Sequence, residues 1–323
     1  MFYISARGSS ASTWLNRMLS KHKKIVCFQS SRSFPPVWPG KTFPYENTWV
    51  KEIEPAKYIE SLILCENSTH KEKIFGSTHG YHGIDAKIHC EEFGGIFSYI
   101  ARNPISRIHS HYIHSLEGLY YKKFNILKNE EIHRRTCEVL NNVDLISIAK
   151  EKEKKEAQNN LIKKKFVNLG KLLLTETVKN KIKEYLHIVQ IKKDRKNIKP
   201  NERELLINSA ILCVREYLKH DQILFGSCEK NAGLKMEEFV KSKKYFNNIL
   251  KKRIDNNIDF SESYLEDVFK DGRFWVHRKE ALSPEEIWNS WPASMKDLFI
   301  FYFKKFNLKN YMSHFDYDHR YLI

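Results

Sequence analysis

The chain has 323 residues, of which 41% are hydrophobic, so it is long enough to bury a full core in one large domain or two small ones. It does not begin with a basic stretch followed by about seven apolar residues, and no window approaches roughly eighteen uncharged apolar residues. These features predict no transmembrane segment and a soluble, complete and cytoplasmic protein without a leader.

A formal charge of +16 raises the question of a nucleic-acid partner, which depends on where the charge lies along the chain. Residues 150–200 hold 16 Lys and Arg against 6 Asp and Glu, a surplus of +10. Acidic and basic side chains alternate there at helical spacing, which is typical of a solvated helix face. We therefore expect no nucleic-acid partner; an attraction for anionic substrates is the alternative interpretation.

The cysteines and histidines form no metal or disulfide pattern. The six cysteines are scattered and include no CxxC pair, which predicts free thiols in a reducing compartment (Cys27, Cys65, Cys90, Cys137, Cys213 and Cys228). A cluster of four possible ligands lacks the spacing of a structural zinc site (His79, His82, His89 and Cys90). We therefore predict no bound metal.

The elements predicted along the chain alternate between strands and helices. Strand-like runs cover 2–5, 24–28, 73–77 and 95–101, and helical patterns cover 12–22 and 55–66. This alternation predicts an α/β fold, with a central parallel sheet flanked by helices on both faces. The segment 121–225 is highly charged and mostly helical in pattern, so we interpret it as an insertion or lid within a single domain, 1–323.

The first strand, loop and helix form the stretch FYISARGSSASTWLNRML, residues 2–19. A strand that enters a helix through small residues directs several backbone N–H groups and the positive helix end at one point, which suits an anion. Serine and threonine hydroxyls add further donors (Ser9, Ser10, Ser12 and Thr13). The GxxxxGK[ST] pattern of nucleoside triphosphatases is absent, so an anion site without magnesium is favoured.

A second anion site is predicted at the end of the fourth strand, in RNPISRIHSHY. Arg102 ends the strand, where a magnesium-binding enzyme would carry an aspartate, and its guanidinium can bind a phosphate through two hydrogen bonds. Asn103 and Pro104 are typical of a helix start, and Ser110 follows on that helix, eight residues after Arg102.

Between the two anion sites lies a candidate general base. In FGSTHGYHG the third strand is expected to end at Ser77, and His79 follows in a glycine-flanked turn. A histidine has an unperturbed pKa near neutrality, so a histidine beyond a strand end suits proton abstraction in a crevice.

These motifs together resemble the sulfotransferases that use 3′-phosphoadenosine 5′-phosphosulfate. Ser12-Thr13-Trp14-Leu15 is similar to the Thr-Thr-Trp-Leu end of the family's 5′-phosphosulfate loop. Arg102 and Ser110 keep the arginine-to-serine spacing of its 3′-phosphate motif, and His79 stands where the cytosolic branch carries its catalytic histidine. LKMEEFVKS resembles an acidic strand-to-helix segment of the family.

The resemblance implies a P-loop-like sulfotransferase fold and transfer of a sulfuryl group to a hydroxyl or amine of a small-molecule or glycan acceptor. It implies that the first loop binds the donor's 5′ end, with Trp14 against the purine (Arg7, Gly8, Ser9, Ser10, Ala11, Ser12, Thr13 and Trp14). Arg102 and Ser110 would bind the 3′-phosphate, and His79 would be the base. A basic loop with Arg278 and Lys279, in GRFWVHRK, would close over the nucleotide, and no metal is needed.

Two positions depart from the family pattern. Ala11 replaces a glycine, and an alanine is well tolerated there only if its φ is negative. Ser9 replaces the usual lysine or arginine, so Arg7 is the nearest cation for the bridging oxygen.

Two other classes of function stay open: a basic nucleotide-binding or RNA-binding protein without catalysis, and a magnesium-dependent relative of kinases. Neither the acceptor nor the oligomeric state can be predicted from these residues, because one fold supports many substrates.

Overall fold

Within the residues that the structure describes, five parallel strands form one sheet in the order β2-β3-β1-β4-β5. The strands are β1 Phe2–Ser5, β2 Ile25–Gln29, β3 Ile74–Gly80, β4 Ile96–Ala101 and β5 Gly233–Lys235. The computed structural model describes residues 1–6, 11–29, 55–69, 72–80, 83–112, 129–173, 202–270 and 282–322. All four strands predicted in the first hundred residues are present, so the prediction of a parallel α/β fold is confirmed.

Helices follow most of the strands, as parallel connections require. Before β5 they are α1 Ser12–Ser20, α2 Pro55–Thr69, α3 Gly83–Glu92, α4 over residues 104–112, α5 Asn129–Leu140, α6 Leu145–Leu173 and α7 Glu202–Ser227. After β5 they are α8 Met236–Phe239, α9 Lys243–Tyr245, α10 Glu262–Lys270, α11 Pro284–Ser290, α12 Ala293–Lys305 and α13 Lys309–His314.

Two helix starts confirm the capping signals of the sequence. At α4, the Asn103 Oδ1 accepts hydrogen bonds from the Ile105 N–H at 3.0 Å and the Ser106 N–H at 3.4 Å. At α11, the Ser283 N–H donates to Glu286 and the Glu286 N–H donates to the Ser283 hydroxyl, at 2.7 and 3.1 Å. The second pair is a complete capping box, so both helix starts are specified by local sequence.

The chain divides into two compact units. The sheet unit comprises residues 1–115, 213–290 and 302–323, and the other unit comprises 116–212 and 291–301. Where the structure describes the predicted helical segment 121–225, it consists of α5 and α6, which are joined by a short turn, and of most of α7. In the described part of the chain, no helix has both the length and the apolarity needed to cross a bilayer.

The core of the sheet unit is built around β1. Phe2, Tyr3 and Ile4 are completely buried, as expected for a central parallel strand that is covered on both faces. From α1, apolar residues at helical spacing are buried with Ser12 (Trp14, Leu15, Met18 and Leu19). The Phe2 ring lies so close to Gly76 of β3 that a Cβ there would be 2.3 Å away, so only glycine fits beside it.

A buried ion pair joins α4 to α7 inside the sheet unit. The Arg107 guanidinium contacts the Asp221 carboxylate, donates to the Tyr217 carbonyl at 3.4 Å and lies 5.1 Å from the centroid of the Tyr217 ring. The Arg107 and Asp221 side chains are 1% and 4% exposed. Burial opposes the charged form, but the Asp221 carboxylate outweighs it and raises the pKa of Arg107, so this arginine stays protonated.

This ion pair gives a prediction about stability. Arg107→Ala leaves the Asp221 charge buried without its partner, so we expect the free energy of unfolding to fall by about 3–5 kcal/mol. The double variant Arg107→Met/Asp221→Leu removes both charges, so it should be more stable than Arg107→Ala alone. Urea unfolding followed by circular dichroism measures both changes. A double variant less stable than Arg107→Ala would contradict this assignment.

Candidate functional site

The predicted functional segments meet at one edge of the sheet. Because all strands are parallel, their carboxyl ends lie at the same edge, and β1 lies between β3 and β4. From β1 the chain leads to β2 on one side of the sheet, whereas β4 leads toward β5 on the other side. Ligands of open α/β sheets bind in the crevice where strand order switches in this way. The structure therefore places the start of α1, the end of β3 and Arg102 around one candidate site.

The start of α1 is fixed to the ends of two strands. The Thr13 hydroxyl oxygen accepts a hydrogen bond from the Gln29 side-chain amide at 2.8 Å. The Thr78 hydroxyl donates to the Ser12 carbonyl at 3.3 Å. Gln29 and Thr78 were not predicted as site residues, although each stands near the carboxyl end of a predicted strand. Their contacts hold the first turn of α1 at the edge of the sheet.

Ala11 precedes α1 with a left-handed backbone, at φ 55° and ψ 16°. Its carbonyl accepts the first hydrogen bond of the helix, from the Leu15 N–H at 2.9 Å. A left-handed conformation is easy for glycine but unfavourable by about 1–2 kcal/mol for other L-residues. Ala11 is therefore strained, because its φ is positive.

Trp14 belongs to the core. Its ring stacks on Phe239, with centroids 6.1 Å apart and an angle of 12° between the planes, and Phe246 and Phe269 contact it edge-on. Only 5% of Trp14 is exposed. Because the aromatic cluster covers the ring, only this small exposed part of Trp14 is accessible to the purine that the resemblance implies.

Arg102 follows β4 and is anchored through its backbone. The Tyr311 hydroxyl accepts a hydrogen bond from the Arg102 N–H at 3.2 Å and donates to the Arg102 carbonyl at 3.1 Å. Burial lowers the pKa of the Arg102 guanidinium to about 10, and the nearby Glu237 carboxylate opposes that shift. Arg102 therefore carries its positive charge at neutral pH in a partly buried position, where an anion is attracted more strongly than in bulk water.

Ser110 lies on α4 and is partly exposed, about two turns from the helix start at Asn103. The strand, cap and helix predicted for the Arg102 motif are thus all present.

His79 lies inside β3, not in a turn after it. The strand continues to Gly80, three residues beyond the predicted end at Ser77. Ile4 of β1 pairs with Thr78, but Ser5 pairs with Gly80, so the register shifts and His79 is the extra residue. A bulge of this kind changes the direction of the strand, and bulges are frequent beside active sites. The prediction of a turn was wrong because β1 continues to pair with this segment.

Several predicted site residues lie outside the described residues: Arg7, Gly8, Ser9, Ser10, Arg278 and Lys279. In the described ranges, no group of three or more His, Cys, Asp or Glu side chains is arranged to hold a metal ion. All six cysteines are free thiols, as their scattered positions predicted.

Comparisons with family models, curated proteins and solved structures find no match to this chain. Its function therefore has to be inferred from its own residues and their geometry.

The strain at Ala11 gives a second prediction. Ala11→Gly relieves the left-handed strain but increases the freedom of the unfolded chain and removes a partly buried methyl group. We expect a net gain of about 0.5–1 kcal/mol in the free energy of unfolding, measured by urea denaturation.

Ala157→Gly is the matched control, because Ala157 is exposed within α6. That substitution should lower the free energy of unfolding by about 1 kcal/mol. If Ala11→Gly destabilised the protein as much as the control does, the strain at Ala11 would be disproved.

Proposed function

We propose that this protein is a sulfotransferase that moves the sulfuryl group of 3′-phosphoadenosine 5′-phosphosulfate to a hydroxyl or amine of a small-molecule or glycan acceptor. One observation carries the proposal: β1 pairs with both β3 and β4 in parallel. This pairing sets the carboxyl ends of β1, β3 and β4 side by side, about 5 Å apart from strand to strand, and His79 and Arg102 belong to two of these ends. A nucleotide with negative groups at both ends would extend from the end of β1 toward Arg102, with His79 on the other side of its 5′ end.

The start of α1 is proposed to bind the 5′-phosphosulfate. Backbone N–H groups and the positive end of the helix attract the anion. Because Gln29 donates to the Thr13 oxygen, the Thr13 hydroxyl keeps its own proton for a ligand oxygen. From the sequence, Arg7 of the loop before α1 is proposed to stabilise the charge that grows on the bridging oxygen.

Arg102 and Ser110 are proposed to bind the 3′-phosphate. Arginine binds phosphate oxygens through two parallel N–H groups, and the burial of Arg102 strengthens this attraction. A 3′-phosphate distinguishes the sulfuryl donor from ordinary adenylates, so this contact would select the cofactor. Arg278 and Lys279 are proposed to close over the bound nucleotide.

The proposed reaction is an in-line displacement at sulfur. The acceptor oxygen or nitrogen forms a bond to sulfur, the bond from sulfur to the bridging phosphate oxygen breaks, and 3′-phosphoadenosine 5′-phosphate leaves. His79 takes the proton of the acceptor, a role that typically gives about 10²- to 10⁴-fold in rate. Each well-placed donor at the bridging oxygen contributes roughly 2.7–4 kcal/mol.

The nucleotide site is tested by comparing adenosine 3′,5′-bisphosphate with adenosine 5′-monophosphate in calorimetric titrations. Arg102→Ala removes a charge-assisted contact worth about 1.5–3 kcal/mol, so the preference for the bisphosphate should fall roughly 10- to 150-fold. Affinity for the monophosphate should change little, because it lacks the 3′-phosphate.

Arg203→Ala is the matched control, since Arg203 is an exposed arginine of the other unit. It should leave the preference unchanged. A wild-type protein that prefers long RNA, with affinity falling steeply as salt rises, would instead indicate a nucleic-acid-binding protein.

The base is tested by transfer of radiolabelled sulfur to a panel of phenols, alcohols, amines and glycans. His79→Ala should lower turnover at least about 100-fold while nucleotide binding is nearly unchanged, because the histidine acts on the acceptor. His89→Ala is the control, since His89 lies on α3 and its Nδ1 is 3.1 Å from the Glu92 carboxylate at the protein surface. Equal turnover in the two variants would remove His79 from the mechanism.

A further inference from the structure

Glu237 connects the β5 segment to the corner that follows β4. It is the second residue of α8, directly after β5 ends at Lys235. One carboxylate oxygen, Oε1, accepts a hydrogen bond from the Asn103 N–H at 3.1 Å. The other oxygen, Oε2, accepts from the Tyr317 hydroxyl at 2.8 Å. Each oxygen of this carboxylate thus accepts a hydrogen bond, one from a backbone N–H and one from a tyrosine of the carboxyl-terminal segment.

The corner formed by Arg102 and Asn103 lies beyond the end of the strand ladder. The last pair between β4 and β5 joins Ala101 to Lys235. After this pair, the Tyr311 hydroxyl bonds both the N–H and the carbonyl of Arg102, and Glu237 accepts from Asn103. Side chains therefore replace the strand partner that the backbone has lost, and they fix the direction in which the chain enters α4.

The negative charge of Glu237 also interacts favourably with the start of α4 and with Arg102. A carboxylate beside the first N–H groups of a helix is favourable because it complements the helix dipole. Its charge acts on the Arg102 guanidinium in the favourable direction as well. Glu237 thus stabilises the backbone of the corner and the cation that the corner carries.

We propose that Glu237 is a positioning residue for Arg102, and that it sets the preference of the nucleotide site for a 3′-phosphate. This inference rests on the proposed function, because it assigns the 3′-phosphate to Arg102. Glu237 acts through the Asn103 hydrogen bond and makes no contact with the nucleotide itself. The preference for a 3′-phosphate therefore requires the Glu237 oxygen that accepts from the Asn103 N–H. It does not require the negative charge of Glu237.

Two substitutions separate the hydrogen bond from the charge. Glu237→Gln removes the charge but keeps an amide oxygen that accepts from the Asn103 N–H. Glu237→Ala removes both. Glu238→Ala is the matched control, because Glu238 is the next residue of the same helix, is exposed and lies 3.8 Å from the Lys235 ammonium.

The measurement is the ratio of the affinities for adenosine 3′,5′-bisphosphate and adenosine 5′-monophosphate, together with amide hydrogen exchange of residues 99–107 without ligand. Glu237→Ala should lower the ratio about tenfold or more and speed the exchange of this segment. Glu237→Gln and Glu238→Ala should keep the ratio within about threefold of wild type. Tyr317→Phe removes the hydrogen bond to Glu237 Oε2 and should lower the ratio about fivefold, outside the range of the controls. It is the variant to measure if Glu237→Ala does not fold.

The possible failures are distinguishable. If wild-type protein does not prefer the bisphosphate, the proposed function is overturned and this inference with it. If wild type prefers the bisphosphate and Glu237→Ala retains that preference, only this inference is overturned. The same holds if Glu237→Gln loses the preference as fully as Glu237→Ala does, because charge and not position would then be the cause.

Discussion

The parallel pairing of β1 with both β3 and β4 is the constraint on which the rest of the structure depends. It gives β1 two neighbours and two covered faces, so its side chains are buried without exception. It also fixes which loops meet, since the carboxyl ends of the three strands lie side by side. A shift of one residue in this pairing would exchange the two faces of β1 and expose its apolar side chains. The same pairing therefore stabilises the core and assembles the candidate site.

The site is held together by polar contacts between segments that are distant in sequence. Tyr311 lies 209 positions after Arg102, and Glu237 lies 134 positions after Asn103. Such contacts are needed because the backbone of a strand end has lost its ladder partner, and a buried N–H without an acceptor is costly. The supports of the site are thus spread over the whole sheet unit, although its predicted ligand contacts lie mostly in the first 110 residues.

Much of this arrangement could be predicted from local sequence. The buried run at β1, the helical spacing of α1 and the Asn103 cap each follow from interactions within a few residues, so the sequence is sufficient to predict them. The bulge at His79 could not be predicted, because it depends on how far β1 continues to pair with β3. The contacts of Gln29, Glu237 and Tyr311 could not be predicted for the same reason. Each is a polar residue whose role exists only after distant segments have packed together.

The charges around Arg102 limit what this corner can bind unaided. Asp221 neutralises Arg107, and the Glu237 carboxylate acts on Arg102, so two acidic and two basic groups balance inside the sheet unit. A phosphate carries more than one negative charge near pH 7, and one partly compensated guanidinium cannot neutralise it. The nucleotide we propose would therefore need further cations from outside this set. That requirement is a physical reason for the role we propose for Arg278 and Lys279.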